Sequence, residues 1–175
     1  MYFANFPLIP YDSVGDGEFK VVTNLLRRVA IRSKVRTNTM LFDTYDVKEG
    51  ETPEMLADKL YGNSEYHWII LYCNNITDRY YQWPKNQNQF LAYINDKYSD
   101  IDATHHYEIS QTSGDTKIKI NIGSDNTDYP TATAITNYEY EQAQQDEMRS
   151  IRLLQPGYIP AFVQEFESIM NESIV

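Results

Sequence analysis

Cysteine is almost missing from this 175-residue sequence, and the single thiol excludes an internal disulfide. Cys73 follows the apolar run Trp68–Tyr72, so we expect it to be buried and unreactive. Only 7 residues are glycine, and none forms a phosphate-cradling loop. No apolar run approaches the roughly 18 residues that cross a bilayer, and the first residues lack the basic region of a signal peptide. The sequence therefore predicts a protein that folds in a reducing cytoplasm and spans no membrane.

Recognisable catalytic chemistry is missing as well. The histidines are His67, His105 and His106, and the adjacent pair has no third metal ligand at a suitable spacing. We interpret His67, which precedes a tryptophan on a predicted helix, as a core or rim side chain. No serine or cysteine lies in a nucleophile elbow. The sequence thus predicts no enzyme, no metal and no cofactor.

Positive charge is scarce, because the sequence has 15 basic and 25 acidic residues and a net charge of −10. Such a chain is repelled by phosphate backbones, which argues against nucleic acid as a partner. Five basic residues nevertheless fall within ten positions: Arg27, Arg28, Arg32, Lys34 and Arg36. This basic cluster is either a solvated helix face followed by a connection or a docking surface for an acidic neighbour.

What the sequence has in excess is tyrosine, with 15 residues against 7 phenylalanines and 2 tryptophans. Tyrosine suits both cores and surfaces that partners cover. The N-terminal arm (residues 1–17) contains Pro7 and Pro10, which favour extended chain. It also carries Tyr2, Phe3 and Phe6, which are too apolar to be left in water. The arm must therefore lie on its own protein or on a neighbour.

The first half of the chain alternates between helix and strand signals. Phe19, Val22, Leu26, Val29 and Ala30 share one helical face, which predicts an amphipathic helix containing the basic cluster. Alternating apolar residues predict a strand over 40–49. Thr52 and Pro53 then begin a helix that Gly62-Asn63 ends. Ser64 is the predicted cap of a second helix, ended by Asn74-Asn75. The run Tyr80–Trp83 is the candidate closing strand.

The second half predicts a helix over 86–98 and a hairpin. Tyr107 and Ile109 alternate before a turn at Ser113-Gly114-Asp115, and Ile118, Ile120 and Ile122 alternate after it. A polar loop over 123–130 leads to a helix over 136–149. Residues 151–154 fit either its last turn or a short strand. An amphipathic helix with Phe162 and Phe166 on its apolar face follows Pro160, and it either folds back onto the protein or meets a neighbour.

The segment from Asp43 to Ile76 resembles a LysM module. The matching residues are Tyr45, Val47, the turn Gly50-Glu51-Thr52-Pro53, Leu56-Ala57, Tyr61-Gly62, Trp68 and Asn74-Asn75-Ile76. LysM modules often bind N-acetylglucosamine polymers, and the resemblance would place such a groove at Gly50, Glu51, Thr52, Asn74, Asn75 and Ile76. The other interpretation of these residues is that they only cap helices and close turns. The sequence contains one copy and no Ser/Thr/Pro-rich linker, which glycan-binding LysM proteins usually have.

A wider resemblance is to the baseplate wedge subunits of T-even contractile-tailed phages, the protein 53 family. It rests on Leu56-Ala57, Tyr61-Gly62-Asn63, Trp68, Cys73-Asn74 and Tyr80-Tyr81-Gln82-Trp83, and on the order of the later elements. The resemblance implies a virion protein of the tail baseplate, assembled in the host bacterium. It implies other wedge proteins, hub proteins and sheath-initiating proteins as partners. The alternative is a peptidoglycan-binding LysM protein on a virion or cell wall.

These inferences combine into one expected architecture of the α+β class. A small LysM-like βααβ core carries an extended N-terminal arm, a β-hairpin and flanking helices. The expected segments are the arm and basic helix (1–39), the LysM-like domain (40–84), a helix and hairpin region (85–130) and a C-terminal helical region (131–175). The candidate partner contacts are the aromatic and basic side chains of Tyr2, Phe3, Phe6, Arg27, Arg28, Arg32, Phe162 and Phe166.

Overall fold

The fold is that of a computed structural model, which describes residues 2–27, 29–31, 35, 38–111 and 118–172. The protein is of the predicted α+β class. Contacts along the chain divide it into two units, of which unit 1 comprises residues 1–46, 51–79 and 151–175, and unit 2 comprises residues 47–50 and 80–150. The four segments expected from the sequence were defined by local sequence pattern, whereas the two units are defined by contacts in the structure. The four segments stay a prediction.

The described strands and helices are short and follow one another closely. The strands are β1 (Leu8–Tyr11), β2 (Lys20–Thr23), β3 (Phe42–Asp46), β4 (Thr104–Ser110), β5 (Lys119–Gly123), β6 (Thr133–Thr136) and β7 (Ser150–Leu154). The α-helices are α1 (Pro53–Tyr61), α2 (His67–Cys73), α3 (Arg79–Gln82), α4 (Gln87–Lys97), α5 (Asn137–Arg149) and α6 (Ile159–Asn171). Single turns of 3₁₀-helix lie at Tyr2–Asn5, Thr39–Leu41, Ser64–Tyr66 and Pro156–Tyr158.

Helix α1 has the ends that the sequence predicts. The Thr52 side chain accepts a hydrogen bond from the Met55 N–H at 3.3 Å, and Pro53 occupies the first turn. Gly62 ends the helix with a φ of 70°, a left-handed conformation that suits glycine. The prediction that Ser64 caps the next helix was wrong. A 3₁₀ turn precedes α2, and Asn63 caps that turn by accepting the Glu65 N–H at 2.9 Å. The N-cap of α2 itself is Tyr66, which makes no side-chain capping bond.

The strand that pairs with β3 was also misplaced. Residues 79–82 form the short helix α3 instead of a closing strand, and the partner of β3 is β7. The Gln155 N–H donates to the Leu41 carbonyl at 3.1 Å, so the end of β7 lies beside the start of β3 and the strands run antiparallel. The order β3-α1-α2-β7 is consistent with a LysM-like βααβ core whose last strand comes about 70 residues later in the chain than expected.

The predicted helix over residues 19–30 is wrong in its described part. Residues 20–23 form β2, which pairs with β1 through Ile9↔Val22 and Pro10↔Val21. The apparent helical face does not exist, since Leu26 is 94% exposed. Adjacent β-branched residues favour a strand, and β1, which is separated from β2 by eight residues, offers a nearby partner. Most of the basic cluster, with Arg28, Arg32, Lys34 and Arg36, lies outside the described residues.

The core of unit 1 joins the two ends of the chain to α2. Its buried side chains are Phe6, Trp68, Ile69, Cys73, Leu154, Ile159, Phe166 and Met170. The Cys73 thiol is buried in this core, as its apolar context predicts. Unit 1 is therefore stabilised chiefly by apolar contacts between segments far apart in sequence.

Unit 2 combines an antiparallel sheet of order β5-β4-β6 with helices α4 and α5. Helix α4 begins with a capping box of Asn86 and Gln89, and α5 begins with one of Thr136 and Glu139. The hairpin of β4 and β5 is confirmed, and its predicted turn at 113–115 lies outside the described residues. Strand β6, which pairs with β4, was not predicted. Residues 151–154 take the strand alternative.

The buried polar side chains of α5 both have partners. The Glu141 carboxylate accepts hydrogen bonds from Lys97 Nζ at 2.7 Å and from the Tyr98 hydroxyl at 2.8 Å. The buried Gln145 side chain accepts the Lys85 N–H at 2.8 Å. Burial of these groups is tolerated because each is hydrogen-bonded. They tie α5 to α4 and to the chain before it.

Candidate partner-contact site

The N-terminal arm is held on unit 1 by aromatic contacts. The Tyr2 ring stacks on that of Phe166 with centroids 5.4 Å apart, and it lies 5.0 Å from the Trp68 ring. Phe6 is buried in the core, 6.5 Å from Phe166. The structure therefore packs the start of the arm, through Tyr2 and Phe6, on its own protein. Phe3 is 61% exposed although its ring lies 5.1 Å from Tyr2, and the later arm residues Leu8, Tyr11 and Val14 are exposed as well.

An open cavity of about 910 Å³ lies beside these rings. Its apolar lining is Tyr2, Phe3, Val29, Ala30, Ile31, Trp68, Leu71, Tyr72 and Ile76, and its polar lining is His67, Asn75 and Thr77. We call this the aromatic cavity. Residues 68, 71, 72 and 75 recur at the spacing of one helical face, so α2 and its end form one wall. The size and the mostly apolar lining with a few polar groups are typical of a binding pocket.

Trp68 organises this wall of the cavity. Its ring lies 4.8 Å from Phe166, 5.9 Å from Phe162 and 6.3 Å from Tyr72. The centroid spacings and tilted or edge-on orientations are those that aromatic pairs favour. Phe162 is only partly buried, whereas Phe166 is buried. Helix α6 is thus fixed to unit 1 by Phe166, and Phe162 lies at the edge of the same cluster.

Of the three basic residues predicted as partner contacts, only Arg27 is among the residues that the structure describes. Arg27 is half-buried and makes interactions of its own, so it is not a free surface charge. Arg28 and Arg32 lie outside the described residues. The role of the basic cluster in docking stays a prediction.

The predicted glycan groove consists of residues that mostly have structural partners. The Asn74 side chain donates to the Arg152 carbonyl at 2.7 Å and accepts the Arg152 N–H at 2.8 Å. It also donates to the Ile70 carbonyl at 2.8 Å. Thr52 caps α1. Asn75 has a left-handed φ of 57°, and it lines the aromatic cavity together with Ile76.

The remaining groove residues are Gly50 and Glu51. Gly50 has a φ of 75°, which a turn into α1 requires. Glu51 accepts hydrogen bonds from the Tyr45 hydroxyl at 2.8 Å and from Lys59 Nζ at 3.0 Å. The hydrogen bond to Glu51 raises the pKa of Lys59. These contacts fit the capping and turn interpretation, and glycan binding itself stays a prediction.

A surface that sequence reasoning missed is the hairpin of β1 and β2. Its loop is ordered by the Asp12 carboxylate, which accepts the N–H groups of Val14, Gly15 and Gly17 at 3.1, 2.6 and 2.9 Å. These bonds lower the pKa of Asp12, with the Gly17 contact contributing most. The sequence signal was present, because Asp-Ser-Val-Gly-Asp-Gly between two short apolar runs is typical of a turn.

Neither a metal-ligand cluster nor a membrane-spanning helix is found in the part of the chain that the structure describes. Within those residues, no group of three or more His, Cys, Asp and Glu side chains could hold a metal ion. The His105 and His106 Nδ1 atoms lie 2.8 Å apart, and His106 Nε2 lies 3.3 Å from Glu108 Oε1. This local hydrogen-bonding cluster rests on the Tyr140 ring. The described helices are also too short or too polar to cross a bilayer.

Comparison with known proteins covers nearly the whole chain. The family model described as base plate wedge protein 53 matches residues 1–173. A curated relative, the baseplate wedge protein gp53 of Enterobacteria phage T4, is 23% identical over 184 aligned positions. The alignment covers 97% of this chain and 88% of the phage T4 protein. The match therefore includes both units and both ends of the chain.

Proposed function

The chain belongs to the base plate wedge protein 53 family, and we propose on that premise that it joins neighbouring wedge proteins through its N-terminal arm and aromatic cavity. Family membership makes it a structural part of the tail baseplate of a contractile phage virion. Its partners are accordingly other baseplate proteins. The finer assignment, that they include hub and sheath-initiating proteins, is part of the proposal.

The observation that carries the proposal is the position of Phe3. It lines the aromatic cavity and stays 61% exposed while the neighbouring Tyr2 and Phe6 are packed. An exposed aromatic ring beside an apolar cavity is typical of a surface that a partner covers, because its burial contributes binding energy only in the complex. A wedge protein that inserts an apolar side chain here would contact the arm, Trp68 and Tyr72 together.

The proposal requires no catalytic step. A joint works by geometry, and several modest contacts on one chain raise the effective concentration of each once the first has formed. Capped helices and a core that ties both chain ends to α2 supply the rigidity that such a joint needs. We propose that the chain acts in this way without enzymatic activity.

Binding to incomplete wedges tests this function. Wedges purified from cells infected with a phage lacking this gene would be mixed with the purified chain and separated by sedimentation. We expect the wild-type chain to sediment with the wedges. The Phe3→Ala chain should bind at least about tenfold more weakly, since truncation of an interface aromatic residue commonly costs that much.

Met55→Ala is the matched control for this experiment. Met55 is 60% exposed, nearly the same as Phe3, but it does not line the aromatic cavity. We expect the Met55→Ala chain to bind like the wild type. Failure of the wild-type chain to sediment with wedges would contradict the joint function. Equal binding by the Phe3→Ala and wild-type chains would instead remove the aromatic cavity from the interface.

A further inference from the structure

The hairpin of β1 and β2 has one strand edge that is blocked and one that is open. The register pairs Leu8 with Thr23, Ile9 with Val22, Pro10 with Val21 and Tyr11 with Lys20. Continuing that register, the Asn24 N–H donates to the Pro7 carbonyl at 2.8 Å. Hydrogen-bonded and non-hydrogen-bonded pairs alternate along an antiparallel ladder. The pairs Ile9/Val22 and Tyr11/Lys20 are therefore the hydrogen-bonded ones.

It follows that the backbone groups of the other two pairs point away from the hairpin. On β1 these belong to Leu8 and Pro10, and proline has no N–H to donate. On β2 they belong to Val21 and Thr23, which offer two donors and two acceptors. Within the described residues the sheet consists of β1 and β2 alone. Pro10 thus makes the outer edge of β1 a poor partner for another strand, as edge prolines commonly do. The outer edge of β2 keeps both of its N–H donors available for pairing.

The side chains of the same residues form an exposed apolar face. Val21 is 70% and Leu8 is 62% exposed, and Pro10 beside them is exposed as well. On the opposite face, Ile9 and Val22 are half-buried. An exposed strand with unpaired backbone groups and apolar side chains is a site at which another strand adds to a sheet.

The tip of the hairpin defines the charge of the segment that fits. Its loop carries Asp12, Asp16 and Glu18, followed by one basic residue, Lys20. The Asp12 carboxylate is turned onto the loop backbone, whereas Asp16 and Glu18 are exposed. A strand lying along β2 is favoured by a lysine or arginine at the end that meets this tip. A second copy is disfavoured by the net charge of −10 that each copy brings.

We propose that the open edge of β2 is a β-augmentation site, which receives an extended strand from another baseplate protein. That strand alternates apolar residues against Leu8, Pro10 and Val21 and carries a basic residue beside Asp16 and Glu18. The inference rests on the proposed function, since it names a second contact of the same joint. It is independent of the aromatic cavity, because the hairpin residues named here do not line that cavity.

Proline substitution on the β2 edge tests the proposal with the same incomplete wedges. Val21→Pro and Thr23→Pro each remove one outward N–H of β2, and each follows a residue already in extended conformation, which proline tolerates. We expect either variant to bind the wedges at least about tenfold more weakly than the wild type. Tyr11→Val is the matched control, because Tyr11 is exposed on the opposite face of the same hairpin and the change keeps every outward N–H. It should bind like the wild type.

The readouts separate this inference from the function on which it depends. Amide chemical shifts of Val22 and Ile9 report whether each variant keeps the hairpin. Wild-type binding with unchanged binding by both β2 variants overturns the edge site but leaves the joint function intact. Equal loss in Tyr11→Val also overturns it, because the loss would then not depend on the outward N–H groups of β2. A dimer of the isolated chain that Val21→Pro dissolves would make a second copy the occupant and overturn the proposed partner. No wedge binding by the wild-type chain overturns both proposals.

Discussion

At the scale of single residues, Asn74 shows how one side chain can replace part of a strand. Its amide group exchanges two hydrogen bonds with the backbone of Arg152, as a neighbouring strand would, while also bonding the Ile70 carbonyl of its own helix. The sequence indicated an asparagine ending a helix, but not that the helix end is fastened to β7. The partner is 78 positions away and has no local signal.

Replacement of this residue gives the first prediction. Asn74→Ala leaves the N–H and carbonyl of Arg152 without this partner, so we expect the free energy of unfolding to fall by about 2–3 kcal/mol. Asn95→Ala is the matched control. Asn95 makes the same kind of bond to the carbonyl four residues earlier, at 2.8 Å, but it is exposed and bonds no strand. Urea unfolding followed by circular dichroism measures both, and equal effects would contradict the role of Arg152.

A second residue-scale prediction concerns acid and the Asp12 loop. The pKa of Asp12 is lowered from 3.8 by hydrogen bonds from loop N–H groups. A lowered carboxyl pKa stabilises the folded loop above pH 3.8, and this contribution is lost as the pH falls through the lower folded value. We expect the amide chemical shifts of Gly15 and Gly17 to stay constant down to about pH 4 and to move only below it. In Asp12→Asn the same shifts should not show this transition, and an unchanged transition there would assign it to another group.

At the scale of elements, the N-terminal arm is both part of the core and a candidate contact. Phe6 is buried, whereas Phe3 is exposed. We expect Phe6→Ala to lower the free energy of unfolding by about 3 kcal/mol, as other large core truncations do. Phe3→Ala should change it by no more than about 0.5 kcal/mol, because the ring is mostly solvated. Thermal unfolding of the two variants measures the contrast, and an equally small effect at Phe6 would mean that the arm is not packed on unit 1 in solution.

The correctly predicted elements are determined by residues nearby in sequence, whereas the incorrectly predicted ones depend on partners elsewhere in the chain. Helix α1 was predicted from its cap and its breaker, Thr52 and Gly62. Helix α4 was predicted from its apolar periodicity and α5 from its composition, and the capping boxes that begin both were not recognised. The helix predicted over 19–30 failed because a few apolar positions fitted a helical period, although Val21-Val22-Thr23 favours a strand beside β1. Tyr80–Trp83 fitted a strand locally, and nothing nearby indicated that β7 already pairs with β3.

The residues of the candidate site could likewise be predicted from local sequence, but their contacts could not. Tyr2, Phe3 and Phe6 were predicted as one apolar segment, and the structure brings Tyr2 and Phe6 to Trp68 and Phe166. That meeting could not be predicted, because the three segments are brought together only by tertiary packing. Local pattern located the aromatic residues but could not tell Phe3, which is exposed, from Phe6, which is buried.

At the scale of the whole molecule, unit 1 is completed only by the last part of the chain. Unit 2 consists of residues 47–50 and 80–150, and its longer segment separates α2 from β7 in sequence. Strand β7 supplies the pairing for β3, and α6 supplies Phe166 and Met170 to the core. Bringing together segments so far apart costs loop-closure entropy, which has to be met before these contacts contribute stability.

A chain that ends at Arg149 tests this dependence on the C-terminal part. It lacks the Arg152 backbone that holds Asn74 and the Phe166 ring that lies 4.8 Å from Trp68. We therefore expect the α2 amides of the truncated chain to exchange with solvent deuterium at least about a hundredfold faster than in the full chain, since sub-global opening sets the exchange rate of a helix. Helix α4 is the internal control. Its capping box and its place in unit 2 are retained, including the Val47 N–H to Arg149 carbonyl bond at 2.9 Å. Hydrogen exchange followed by mass spectrometry compares both helices in one sample. Continued protection of α2 in the truncated chain would show that unit 1 folds without β7 and α6.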